Sequence, residues 1–390
     1  MPANKPPFDG EWVKLGELIS KAPIERCGDA KYPVYSMTMR DGIVEQAGRF
    51  KKAIASKDTS SYKVVKKNQL VVGFPIDEGV IYVQNHDAPG IMSPAYNVWN
   101  IDLGRVDPSY LEFALHGPRS MAYYADKMRG TTARRRTLTA DGLREMEILL
   151  PSADGQIRVV NTLDEVRSLI EGASGQIAML DTLVKSRFVE MFGGMKYESV
   201  PMGHLVAEIV AGTNVGGKQR PLLKGEYGVL KISAVTKGVF DASQYKVVED
   251  VSSIKMVHPR KGDLLFSRAN TSEMVGATAI VDKDCACLFL PDKLWRIDPT
   301  DEVNTVFLKA LLSSSRMRRE ISNASTGSSG SMQNISMTKF RSLPAFLPPL
   351  ALQQEFAAFV AEVDKSRFIV QQKIEKLQTL YDSLAQEYFG

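Results

Sequence analysis

The sequence predicts an α+β protein of two similar mixed α/β domains and two long helices, related by an internal pseudo-two-fold axis. Three observations carry this. First, residues 130–193 recur at 327–390 with a constant offset of 197 and no gap. Leu150-Pro151 falls on Leu347-Pro348, Gln156 on Gln353, Glu165-Val166 on Glu362-Val363, and Phe192-Gly193 on Phe389-Gly390. Second, fainter matches with small drifts in offset extend the repeat upstream. Leu15-Gly16 answers Met202-Gly203, Tyr32-x-Val34 answers Tyr227-x-Val229, and Trp99-Asn-Ile-Asp102 answers Trp295-Arg-Ile-Asp298. Third, each copy ends in a run of helical period. A gapless repeat of this length means that one supersecondary unit was copied.

The elements follow in order. Within 11–115, short alternating stretches predict strands at Val34–Met39, Leu70–Phe74 and Val80–Gln84, punctuated by Asp41-Gly42, Asp77-Glu-Gly79 and Ala88-Pro-Gly90. Helices are expected at Ser109–His116, after Asp107-Pro108, and near Ser120–Lys127. The second half repeats the plan, with strands near Val229–Ile232, Asp263–Phe266 and Ala277–Val281 and helices near Thr305–Ser313 and Arg316–Ser322. Strand and helix do not alternate regularly, so each sheet is expected to be largely antiparallel. The copied tail is a helix. Val370, Ile374, Leu377, Tyr381, Leu384 and Tyr388 keep a heptad seam. Ala173, Ile177, Leu180, Val184, Arg187 and Met191 stand at the matching places, with Arg187 intruding. Two such helices in one chain are expected to pair as an antiparallel coiled coil. The divisions are 1–148 for the first domain, 149–195 for the first helical spacer, 196–345 for the second domain and 346–390 for the second spacer.

Composition excludes several classes. An apolar fraction of 44% supports packed cores. No run of 18 apolar residues exists, and Met1-Pro-Ala-Asn-Lys-Pro-Pro-Phe8 lacks a signal-like core, so no membrane role and a cytoplasmic setting are expected. Three cysteines make no disulfide framework. A net charge of +4 permits nucleic-acid binding without demanding it.

The candidate contacts lie in paired loops. Arg129 leads into Gly130, Thr131, Thr132, Arg134, Arg135 and Arg136 in the first half, closing on Leu138-Thr139. At the same place in the second half stand Gly327, Ser328, Ser329, Gln333 and Asn334, closing on Ile335-Ser336. Small residues let backbone amides approach phosphates, hydroxyls add donors, and Arg, Gln and Asn pair bidentately with base edges. A two-fold protein suits a two-part partner, of which duplex DNA is the commonest. Gly212-Thr-Asn-Val-Gly-Gly-Lys218 nearly spells a nucleotide-binding loop, but Gln219 replaces the magnesium-binding hydroxyl and Pro221 opposes the helix that should follow. Lys218 and Arg220 are better used on phosphates. Cys285-Ala-Cys287 with His258 falls short of a zinc set. No catalytic constellation and no cofactor motif are found, which predicts a reader of DNA and not an enzyme.

In the order of these phrases the chain resembles the specificity (S) subunits of type I restriction–modification enzymes, along nearly its whole length. The phrases are Trp12-Val-Lys-Leu-Gly-Glu-Leu18 and Val200-Pro-Met-Gly-His-Leu205 at the domain openings, Asp263-Leu-Leu-Phe-Ser-Arg268, and Gly327-Ser-Ser-Gly-Ser-Met-Gln-Asn-Ile-Ser336. The helix entry Leu347-Pro-Pro-Leu-Ala-Leu-Gln353 and the ending Glu387-Tyr-Phe-Gly390 complete them. The resemblance implies two target-recognition domains, each reading half of a bipartite double-stranded DNA site. It also implies an antiparallel helical spacer that holds methyltransferase (M) subunits, with nuclease–translocase (R) subunits completing the enzyme. Arg268 joins the candidate contacts through its family phrase. The first copy departs from the pattern in its more basic loop and its poorer helix entry, Pro151-Ser-Ala-Asp-Gly155. Two other readings remain: a self-contained methyltransferase or nuclease, which S-adenosylmethionine binding by the isolated chain would reveal, and a coiled-coil scaffold without a DNA role.

The basic run generates a first prediction. Replacing Arg134, Arg135 and Arg136 together with alanine should weaken duplex binding and flatten its salt dependence, by a log–log slope of about 0.9 for each phosphate no longer neutralised. Unchanged slope and affinity in a salt titration would show that the run only faces solvent.

Overall fold

The computed structural model describes residues 9–39, 41–49, 58–128, 138–194, 197–327 and 332–390, with the side chains of 48 and 49 left aside. In the first globule a four-stranded antiparallel sheet runs in the order Ile19–Lys21, Asn97–Ile101, Gln69–Val72, Ile81–Val83. In the second the order is Val206–Ala211, Leu294–Pro299, Leu264–Ser267, Thr278–Ile280. The same sheet is thus built twice, with the same strand taking each place. A helix pair follows each sheet, at Pro108–His116 and Pro118–Lys127 and again at Thr305–Ser313 and Ser315–Ala324. Each globule is closed by its own ends. Gly10–Lys14 pairs with Glu147–Pro151, and Ser199–Pro201 pairs with Pro344–Phe346.

Sequence periodicity explains why these stretches become strands. Leu70, Val72, Ile81, Val83, Trp99 and Ile101 all enter the first core, because alternate side chains of a strand share one face. Leu264, Phe266, Trp295 and Ile297 do the same in the second. Outside the main sheets the structure is still mostly antiparallel. The exceptions among the described residues are alike in both globules: Val34 bridges Ile91 in parallel, as Tyr227–Leu230 pairs in parallel with Leu288–Phe289. This supports the match of Tyr32-x-Val34 to Tyr227-x-Val229.

One sequence match is shifted by the ladder. The left-handed residues Asn68 and Gly262 occupy the same turn, each donating its N–H to the neighbouring strand, at Gln84 and Val281. Leu70 and Leu264 are therefore equivalent, and their cross-strand partners are Trp99 and Ile297. Trp295 sits two residues earlier, opposite Phe266. A two-residue shift keeps a side chain on the same face of the sheet, so both tryptophans are buried and sequence comparison equates them.

The long helices are Ala153–Phe192 and Leu350–Phe389, longer than the seam residues alone delimit. All twelve seam positions are buried or half-buried. The chain divides into two compact units, one of residues 1–174 and 372–390 and one of 175–371, so both boundaries fall inside the long helices. Within the second unit the helices run antiparallel, since Asp181 meets Arg367 at 2.7 Å, Arg187 meets Glu355 at 3.0 Å and Phe188 meets Phe356. The intruding Arg187 is accommodated by its contacts with Glu190, Glu355 and the ring of Phe359. Within the first unit Val159, Leu163, Tyr381, Leu384 and Phe389 share the core of the globule.

Each helix entry is fixed by one buried amide. Gln156, 3% exposed, accepts from the Asp107 amide at 2.7 Å and donates to the carbonyls of Arg105 and Pro151, both at 3.0 Å. Gln353, fully buried, accepts from the Asn304 amide at 2.9 Å and donates to the carbonyls of Glu302 at 3.1 Å and Pro348 at 2.8 Å. Asp107 and Asn304 in turn cap the helices Pro108–His116 and Thr305–Ser313 through their own side chains.

Because a buried group left unpaired costs about 1–3 kcal/mol, Gln156→Ala and Gln353→Ala should each lower stability by about that amount. Gln156→Glu should do more harm, since a carboxylate cannot donate to the two carbonyls. Urea denaturation checks both, and a glutamate variant as stable as the native chain would refute the clamp.

Candidate nucleic-acid interface

Of the predicted contact residues, Arg129, Gly130, Thr131, Thr132, Arg134, Arg135, Arg136, Ser328 and Ser329 lie outside the described residues. The others belong to the second globule, and four of them come together. Gln333–Asn334 forms a short strand antiparallel to Ala269–Asn270, with Asn334 opposite Ala269 and Gln333 opposite Asn270. Asn334 also exchanges backbone hydrogen bonds with Thr326, at 2.9 and 2.8 Å, and the Ile335 amide donates to the Arg268 carbonyl at 3.0 Å. The side chains of Gln333 and Asn334 are half-buried. Gly327 is needed where it stands, because a Cβ there would press on the Met332 carbonyl oxygen.

Arg268 is held from the other side. Its Nε donates to the Asp292 carbonyl at 3.0 Å and its Nη2 faces the Asp292 carboxylate at 3.4 Å. The turn between Asn270 and Val275 is fastened by Arg318, whose Nη2 donates to the Glu273 carbonyl at 2.6 Å. Burial pushes the Arg318 guanidinium below its usual range. A residue that sequence reasoning missed lies at the centre. Asn270 is 8% exposed, its Oδ1 accepts from the Thr271 amide at 2.9 Å, and its Nδ2 has no partner among the described residues. No motif marks it. Only its cross-strand position opposite Gln333 brings it into the cluster.

Lys218 and Arg220 stand on a different ladder, where Lys218 bridges Val247. Both already have anionic partners. Lys218 Nζ meets Glu249 at 2.7 Å, and Arg220 grips Glu226 with two bonds of 2.6 and 2.7 Å. The Arg220 guanidinium, with the Leu223 amide, holds the Glu226 carboxyl down at about 2. A phosphate would have to displace these carboxylates.

Other sequence signals find structural uses. The glycine-rich run at 212–217 precedes no helix; Gly212 lets the chain lie against the Leu290 carbonyl, and Gly217 packs on Lys246 and Val247. His258 uses Nδ1 on the Leu288 carbonyl at 2.7 Å, and no group of three metal-binding side chains occurs among the described residues. The hydroxyls of Thr139 and Ser336, read as donors to DNA, instead accept from the Gly142 and Lys339 amides and cap the short helices Ala140–Arg144 and Met337–Arg341. An N-cap oxygen used this way is committed to the fold.

Comparison with known proteins places this arrangement. Residues 206–379 match the model of the type I restriction modification DNA specificity domain. That segment holds the whole Arg268–Asn334 cluster. The specificity subunit of the type I restriction enzyme EcoEI from Escherichia coli is 25% identical over 175 residues, which make up 43% of this chain and 29% of that protein. The match thus spans under a third of that relative's length. The chain also resembles solved structures along its whole length. One, from a study of complex assembly and conformational transition of the type I R-M system, has a TM-score of 0.55 at 18% identity and covers 99% of this chain and 98% of its own. The S subunit of a type I restriction-modification system from M. genitalium has a TM-score of 0.52 at 13% identity, with the same coverage. These likenesses bear out the mixed α/β fold, and the chain resembles type I specificity subunits as its sequence phrases indicate. No helix among the described residues is long and apolar enough to cross a membrane.

The Arg220–Glu226 pair gives a pH prediction. A carboxyl whose folded value lies below its unfolded one contributes stability above the unfolded value, near 4.5, which is lost as pH falls through about 2. Hydrogen exchange of the Leu223 amide, bonded to Glu226 at 2.9 Å, should therefore quicken relative to neighbouring amides across that window. In Glu226→Gln this acid dependence should vanish; its persistence would mean that another group holds the turn.

Proposed function

We propose that this chain is the non-catalytic DNA-recognition subunit of a type I restriction–modification complex, in which each globule reads one half of a bipartite double-stranded site. The observation that carries the reading is the repetition of one sheet order and one helix entry in both halves, together with the family match over the second. A protein that builds the same platform twice is suited to two half-sites. The proposed domains are 1–148 and 196–345, with 149–195 and 346–390 as a coiled-coil spacer that docks methyltransferase (M) and nuclease–translocase (R) subunits in the cytoplasm. In this reading the backbone of the paired loops positions the duplex, and base edges are read by side chains such as Gln333 and Asn334. Arg129, Gly130, Thr131, Thr132 and Arg134 to Arg136 serve the first half-site. Arg268, Gly327, Ser328 and Ser329 serve the second, joined by Lys218 and Arg220 where phosphate displaces Glu249 and Glu226. No cofactor is assigned to the chain itself.

The experiment is to co-express the chain with its methyltransferase partner and sequence the host genome for modified bases. A two-part motif with a fixed gap is expected. Gln333→Ala and Asn334→Ala should relax one base position in one half alone, since a base-reading contact carries about 1–3 kcal/mol of discrimination. An uninterrupted motif would overturn the two-globule reading, as would a change in both halves from one substitution.

A further inference from the structure

The first globule holds a cluster of cations that the sequence does not mark. Arg26 and Lys63 are direct partners in an antiparallel bridge, so their side chains leave the same face of the ladder. Lys21 ends the strand Ile19–Lys21 and pairs with Trp99. The Lys63 ammonium reaches the start of that same neighbouring strand, donating to the Tyr96 carbonyl at 2.6 Å. Three cations from three chain segments therefore converge, with Lys21 and Arg26 exposed and Lys63 half-buried. Burial chiefly, and then the charges of Lys21 and Arg26, push the Lys63 ammonium below its usual range.

Several other cations in this globule are matched. Lys14 meets Glu145, Lys66 meets Glu25, Lys67 meets Asp87, Arg105 meets Glu11 and Arg119 meets Glu147. Lys21, Arg26 and Lys63 form no ion pair among the described residues. Like charges directly opposite in a ladder are destabilising, so the fold carries a repulsion here that a bound anion would relieve. The Lys63 ammonium is pre-oriented, since one of its three donors is spent on Tyr96 and two remain. A fixed ammonium beside two exposed cations suits the oxygens of a phosphodiester backbone.

We propose that Lys21, Arg26 and Lys63 form a phosphate-binding contact through which the first globule grips the backbone of duplex DNA. The inference rests on the DNA-recognition reading and adds to it a site that carries no sequence information. In the second globule Lys218 and Arg220 are already paired with Glu249 and Glu226.

The test is a salt titration of the full-length chain with a fluorescent duplex of random sequence, because phosphate contacts are indifferent to bases. Lys21→Ala and Arg26→Ala should each reduce the log–log slope by about 0.9, and the double variant by about 1.8. The charge-keeping variant Lys21→Arg/Arg26→Lys should retain the native slope. Thermal melting of the double variant should not fall, since only repulsion has been removed; a lowered midpoint together with weakened binding would point to a structural role and overturn the proposal. Native affinity and slope in the double variant would overturn the site while leaving the DNA reading intact. If the native chain shows no salt-dependent duplex binding, the reading and the site fall together. Reduced retention on a heparin column with unchanged duplex binding would assign the cluster to another polyanion and overturn the DNA contact.

Discussion

The structure depends on one hydrogen-bonded amide used twice. Gln156 and Gln353 each tie the first turn of a 40-residue helix, and the proline carbonyl just before it, to the segment that precedes the helix pair far upstream in the sequence. An amide is the only side chain that offers an acceptor and two donors without charge. Both donors and the acceptor are consumed, so the group stays buried without penalty and the direction of the helix is fixed relative to its globule. A leucine of similar size would fill the space and leave Asp107 N–H and two carbonyls without partners. The clamp thereby converts local strand closure into an orientation for a long helix.

Around that frame, the fate of each cation is decided by its nearest carboxylate rather than by the net charge of +4. Exposed ion pairs add little to stability, typically about 0–1 kcal/mol, but they govern availability. Arg220 is fully engaged by Glu226, whereas Lys21 and Arg26 face solvent beside a third cation. A surface can therefore be nearly neutral on average and still offer one point of strong positive potential. Composition averages over this distinction, and the cross-strand pairing of Arg26 with Lys63 restores it.

The same logic sets what was legible in the sequence. Repetition and period are properties of order along the chain, so the gapless copy, the heptad seam, the helices at 108–116 and 305–313 and the buried faces of the strands could all be read directly. The seam positions remained correct even where Arg187 interrupts them, because a long side chain can lie along apolar surface and place its charge on Glu355. Strand register could not be read at the tryptophans, since a shift of two preserves the facing. Nor could the competing use of a hydroxyl. Thr139 and Ser336 sit at the edge of polar loops, yet the three-residue spacing to Gly142 and Lys339 makes them helix caps. Asn270 escaped notice because its significance lies across the strand, in Gln333.

The two copies also differ where a simple duplication would keep them alike. Glu112 and Lys309 are equivalent by the 197-residue offset, and both are half-buried on the helix that packs near the long one. Burial pushes the Glu112 carboxyl up and the Lys309 ammonium down. Each is partly rescued from its own side. The Val83 amide, bonded at 2.7 Å, with His116 and Arg167, favours the Glu112 carboxylate, while Asp364 favours the charged Lys309. Arg167 and Asp364 are themselves equivalent by the same offset. The pair has reversed sign as a unit, glutamate with arginine in one half and lysine with aspartate in the other. Reversing either member alone would set like charges together in a half-buried place, where screening by water is weakest. The globule and its helix have therefore diverged together within each half. A segment moved from one copy to the other brings the wrong charge unless its partner moves with it.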